Sequence, residues 1–156
     1  MTSTRAYFDH NATTPLRADV LEGLRSALAE TYGNASSIHR DGQQARQLVE
    51  EARRKVALFL SADPREIVFT SGGTESDNTA IFGVVSASGR EPKHVVTTAI
   101  EHPAVLNACE RLEQSGVAVS YVPVGASGVV NPADIEAALR PETVLVSVMH
   151  ANNEIG

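Results

Sequence analysis

Apolar positions recur along this chain with two different periods. After Pro15, the residues Leu16, Val20, Leu21, Leu24 and Leu28 return at helical spacing, and Gly33 marks a stop. A polar loop follows, Gly33-Asn34-Ala35-Ser36-Ser37-Ile38-His39. A second helix is predicted from about Gln43 to Leu60, burying Ala45, Leu48, Val49, Ala52, Val56, Phe59 and Leu60. Its outer face carries Glu50, Glu51, Arg53, Arg54 and Lys55. The period then changes. Ile67–Thr70 is a short, apolar, β-branched run and predicts a strand, and His94–Thr98, Val117–Val122 and Thr143–Met149 read as the strands that follow. Helices are expected from Thr74, over Pro103–Gln114 with a stop at Gly116, and over Pro132–Leu139. Continuous apolar strands joined by helical crossovers predict an α/β fold, a mostly parallel sheet with helices on both faces.

Charge and cysteine content narrow the function classes. Thirteen Lys and Arg against 19 Asp and Glu give a formal net charge of -6. Such a surface repels phosphate backbones, so no direct nucleic-acid binding is expected. Cys109 is the single cysteine, too few for an intrachain disulfide or a Cys-rich zinc site. Its spacing to Val105, Leu106 and Leu112 suits a packed position rather than a nucleophile. His10, His39, His94, His102 and His150 are scattered, without a His-Glu-x-x-His helix, so no metal site is expected. No run approaches the roughly 20 apolar residues that cross a bilayer. The first 15 residues also lack the apolar core of a signal peptide, and the expected compartment is the cytoplasm. The Asn11-Ala12-Thr13 and Asn34-Ala35-Ser36 glycosylation patterns are accordingly read as chance matches.

Three segments at predicted strand ends carry candidate chemistry, because α/β sheets bind ligands along that edge. The first is Thr70-Ser71-Gly72-Gly73-Thr74-Glu75-Ser76-Asp77-Asn78. Glycines allow close backbone approach, free helix N-terminal amides attract anions, and the Thr74 hydroxyl can add a phosphate contact. The alternative is a tight turn with Thr74 as a cap and no ligand. Neither the dinucleotide nor the nucleoside-triphosphate glycine pattern is present. The second is Ala99-Ile100-Glu101-His102-Pro103. An imidazole there can stack on a planar cofactor and transfer protons, or it can simply cap a helix that begins at Pro103. The third is His150-Ala151-Asn152-Asn153-Glu154-Ile155-Gly156, whose amides and carboxylate orient a polar ligand or form a turn.

Taken together, in their order and spacing, Phe8-Asp9, Ala12-Thr13-Thr14-Pro15, Gly33-Asn34, Ser71 to Asn78, Glu101-His102 and Asn152 to Gly156 resemble a known family. They are similar to the N-terminal part of NifS/IscS-type cysteine desulfurases, class V aminotransferase relatives of pyridoxal 5′-phosphate fold type I. The resemblance covers essentially the whole chain. One departure is Ala35, where many relatives carry proline.

The resemblance implies an incomplete fold type I large domain over residues 16–156, after an N-terminal segment over residues 1–15. It implies that Gly73 and Thr74 hold the phosphate of pyridoxal 5′-phosphate. His102 would stack on the ring and serve as the catalytic proton-transfer group, and Asn153 would bond the phenolic oxygen. The implied reaction removes sulfur from L-cysteine, giving L-alanine and an enzyme persulfide for iron–sulfur cluster or thiocofactor synthesis. The implied partners are a second copy in a homodimer and an iron–sulfur scaffold or sulfur-acceptor protein. In that family the Schiff-base lysine, the acceptor cysteine and the acidic partner of the ring nitrogen lie beyond the Asn-Asn-Glu-Ile-Gly motif. The chain therefore reads as cut off before them and inactive alone. A selenocysteine lyase or another class V enzyme is the alternative within the class. A non-catalytic domain that binds phosphate ligands or dimerises is the alternative outside it.

Overall fold

The computed structural model describes residues 6–155, and its contacts divide into two compact units that meet between Phe69 and Thr70. Met1–Arg5 of the expected N-terminal segment and Gly156 of the last motif lie outside the described residues.

The first unit holds two helices, α1 (Ala18–Glu30) and α2 (Arg40–Leu60), followed by a 3₁₀ turn at Pro64–Glu66. The predicted helix types are met, and α2 starts three residues earlier than Gln43 because His39 caps it, Nδ1 accepting the Gly42 amide. Close approach of backbone fixes this start. A Cβ on Gly42 would stand 2.7 Å from the Asn34 carbonyl oxygen and closer still to that of Ser37. At its far end α2 stops where Ser61 turns left-handed, at φ 54°. Asp63 and Glu66 then form a reciprocal capping box around the turn.

Two expectations in this unit are corrected. The apolar stripe of α2 was expected to be buried, but Phe59 is 86% exposed and Leu48, Val49, Val56 and Leu60 are exposed too. Periodicity marks the face that favours burial; whether neighbouring elements cover it is a separate matter. Ile67–Thr70 was expected to be a strand, and it joins no ladder among the described residues. Its backbone is held from the side instead. The Arg53 guanidinium donates to the Ile67 carbonyl and lies 5.0 Å over the Phe69 ring.

The second unit is a layered α/β structure: α3 (Gly73–Ala87), β1 (His94–Thr98), α4 (Pro103–Gln114), β2 (Ala118–Val122), α5 (Pro132–Ala138) and β3 (Thr143–Ser147). The sheet is parallel throughout, in the order β2-β1-β3. Central β1 is buried along its whole length, its polar His94, Thr97 and Thr98 satisfied by hydrogen bonds. Val95 packs with Ile81 and Val85 of α3 and with Val105, Ala108, Cys109 and Leu112 of α4. Those four α4 positions follow one helical stripe, and Cys109 is completely buried, as its spacing predicted. A register irregularity opposite His94 lets both Val144 and Leu145 pack on this core. On β2, α5 packs as a short further helix.

β3 ends at Ser147 rather than at Met149, because the Met149 amide turns to a side chain of the β1 end. No helix among the described residues is long and apolar enough to cross a membrane. No cluster of three or more metal-ligating side chains occurs among them either.

Candidate functional site

The candidate residues all belong to the second unit and follow from how its helices begin. At the head of α3, Gly72 occupies the cap position in an extended conformation, and no side chain caps the helix. Its first-turn amides, including those of Gly73 and Thr74, therefore face outward beside an exposed Thr74 hydroxyl. A Cβ on Gly72 or Gly73 would meet nothing within 4 Å, so the space over this helix end is open.

The loop that leads in is braced by its own side chains. Glu75 Oε2 accepts the Ser71 amide at 2.6 Å and the Ser71 hydroxyl at 2.7 Å. Those bonds, the hydroxyl's foremost, hold the Glu75 carboxyl below its usual pKa. The Thr70 and Ser76 hydroxyls meet at 2.6 Å, and each reaches the Gly72 carbonyl. Thr74 is thus not the cap, and the sequence pattern gave no sign of the Ser71–Glu75 brace.

His102 caps α4, its Nδ1 accepting the Ala104 amide at 3.1 Å, with Pro103 at the first helical position. Capping and an exposed ring coexist here. Because Nδ1 accepts, the neutral ring carries its proton on Nε2. Next to it, Glu101 is buried, and its Oε1 accepts the Thr98 hydroxyl at 2.7 Å and the Met149 amide at 2.9 Å.

After β3 the chain turns on Asn152. Its Oδ1 accepts the Glu154 and Ile155 amides, at 2.7 and 3.0 Å, while its Nδ2 donates to the Ile100 carbonyl at 2.9 Å. Asn153 is exposed beside this turn. An open cleft of about 400 Å³ results, with Ile100, Glu101 and His102 on one wall and Asn152, Asn153 and Glu154 on the other.

The geometry brings His102 and Asn153 together. Gly73 and Thr74 form the separate α3 terminus and are not among the residues lining that cleft. Sequence reasoning offered Asn152 as a ligand-orienting amide or a turn former, and it forms the turn, whereas it gave Glu101 no role of its own. An acidic residue next to a helix-capping histidine was the available signal, but its partners lie 3 and 48 positions away.

The α3 terminus, with uncapped amides and a hydroxyl, suits an anion, and the separate cleft offers an imidazole face and an amide to a planar polar group. The cysteine desulfurase IscS of Dictyoglomus turgidum is 51% identical over 150 residues, which is 96% of this chain and 38% of that protein. A solved NifS-like protein superposes with a TM-score of 0.93 at 43% identity, covering 98% of this chain and 42% of its own. SspA, solved in complex with cysteine, superposes with a TM-score of 0.88 at 40% identity, covering 95% and 43%. The chain thus spans about two-fifths of the length of these relatives. The Aminotransferase class-V profile matches residues 6–156, and the chain belongs to that family.

Proposed function

We propose that these residues form part of the cofactor grip of a pyridoxal 5′-phosphate-dependent cysteine desulfurase. The observation that carries the reading is the cleft in which His102 and Asn153 share the walls. The similarity to IscS proteins and to a structure holding cysteine supports L-cysteine as the substrate. The reaction is removal of its sulfur as an enzyme persulfide, leaving L-alanine. By the same reading the protein is cytoplasmic, acts as a homodimer, and passes sulfur to an iron–sulfur scaffold or another acceptor.

Each residue has a separable task. The amides of Gly73 and Thr74 and the Thr74 hydroxyl bind the phosphate at the positive end of α3. Glu75 does not compete for those amides, since its carboxylate is already engaged by Ser71. His102 offers a ring face for stacking and holds its proton at Nε2; a second proton requires Nδ1 to release the Ala104 amide. Asn153 orients the group through its amide. When bound, pyridoxal 5′-phosphate supplies the conjugated ring that accepts electron density.

On this reading neither lysine of residues 1–156 supplies the amine that chemistry requires. Lys55 is exposed and paired with Glu51 at 2.8 Å. Lys93 precedes β1, at the amino end of the sheet, and pairs with Glu91 at 3.0 Å. These are the two lysines of the chain.

An absorbance titration with pyridoxal 5′-phosphate tests the reading. Reversible binding is expected, weakened about tenfold by Thr74→Ala, the loss of one hydrogen bond to a charged group. Equal affinity of the wild-type chain and the Thr74→Ala variant would refute the phosphate assignment.

A further inference from the structure

The carboxyl ends of β1 and β3 are tied together twice, and each tie is adjacent in sequence to a cofactor-facing residue. Glu101, beside His102, bonds Thr98 of β1 and the Met149 amide just past β3 through a single oxygen, Oε1. Asn152, beside Asn153, reaches back to the Ile100 carbonyl after β1.

Glu101 is only 6% exposed, and no cation pairs with it among the described residues. Burying a carboxylate without a counter-charge costs stability unless hydrogen bonds compensate, so the two donors it receives are its justification. Both groups aimed at Oε1, the Thr98 hydroxyl and the Met149 amide, are donors, and the oxygen accepts from each. The Met149 amide has left the β3 ladder and would otherwise lack a partner.

We infer that Glu101, with Asn152, is a positioning residue that sets the spacing of His102 against Asn153 across the cleft. Neither contacts the cofactor in this role. Glu101 bridges the two strand ends, and Asn152 fixes the turn that carries Asn153. A loosened bridge leaves both side chains present but lets the walls drift, which costs orientation before it costs the fold. The inference rests on the cofactor reading above.

Three variants test it: Glu101→Ala, Glu101→Gln and Thr98→Val. The first readout is hydrogen exchange of the Met149 amide in the cofactor-free chain. The others are affinity for pyridoxal 5′-phosphate and the induced visible circular dichroism per bound cofactor, which reports ring orientation. Glu101→Ala is expected to speed Met149 exchange and weaken binding, each roughly tenfold, and to remove at least about half of the dichroism. Glu101→Gln, whose amide oxygen can accept both donors, is expected to stay within about twofold of wild type. Thr98→Val, losing one donor, should fall between them.

Wild-type dichroism and exchange in Glu101→Ala would overturn the proposal, as would a Gln variant as impaired as the Ala variant. If Glu101→Ala does not fold, an unchanged Thr98→Val overturns it and an intermediate one supports it. Thr74→Ala separates the two readings. Unchanged affinity there sinks the phosphate site, while Met149 exchange still judges the bridge.

Discussion

His94 begins the central strand with both ring nitrogens engaged, Nδ1 2.8 Å from the Thr143 hydroxyl and Nε2 2.9 Å from that of Ser120. One buried imidazole thereby joins β1 to both of its neighbours. Burial foremost, and then Arg140, lowers its pKa from the ordinary value of 6.5. The unfolded chain therefore takes up the proton more readily than the folded one. The His94 contribution is present above about pH 6.5 and is lost as the pH falls through that value towards the folded pKa. Melting temperature should drop between pH 7.5 and pH 5, and His94→Gln should flatten that drop in a calorimetric pH series. At neutral pH, His94→Ala should cost about 2–3 kcal/mol in urea denaturation, since it removes the two hydrogen bonds that join β1 to Thr143 and Ser120. Cys109 gives a second residue-level prediction. Its thiol is completely buried, and burial, ahead of Glu113 and Glu101, pushes its pKa up to about 11. Ellman's reagent at pH 8 should label it only after denaturant is added.

Individual elements were legible in proportion to how local their causes are. Helix α4 was fully readable, because Pro103 starts it, the 105-108-109-112 stripe buries it, and Gly116, at φ 90°, ends the turn that follows. Strand β1 was equally plain. The run Ile67–Thr70 looked the same in composition but needs a neighbour to become a strand, and a pattern confined to four residues cannot supply one. The α2 stripe misled for a related reason: it states a preference, and the covering surface belongs to other elements. The start of α2 makes the opposite case, a backbone packing detail that sequence barely hints at. Gly42→Ala should destabilise the protein by about 1–3 kcal/mol, because carbonyls of Ser37 and Asn34 occupy the space of a Cβ. A shift in denaturation midpoint without a change in slope would check it.

For the molecule as a whole, the residues proposed to face the cofactor were legible and the bonds that hold their loops were not. Thr74, His102 and Asn153 stood out because their types and order matched a chemistry. Glu101 and Asn152 act across 48 and 52 positions, distances at which a linear pattern carries no geometry. At this scale, residues 1–156 supplied with L-cysteine, pyridoxal 5′-phosphate and a reductant should release no sulfide above a protein-free blank. Release abolished by Lys55→Ala or Lys93→Ala would show that one of these lysines serves after all.

The parallel sheet closes two loops of very different length. β1 meets β2 after a crossover of about two dozen residues but meets β3 only after about twice that length, and the longer closure carries the larger entropic barrier. The β1–β2 pair with α4 can therefore assemble first, with β3 docking last. Because one wall of the cleft hangs from β3, the cleft is complete only once β3 has paired with β1.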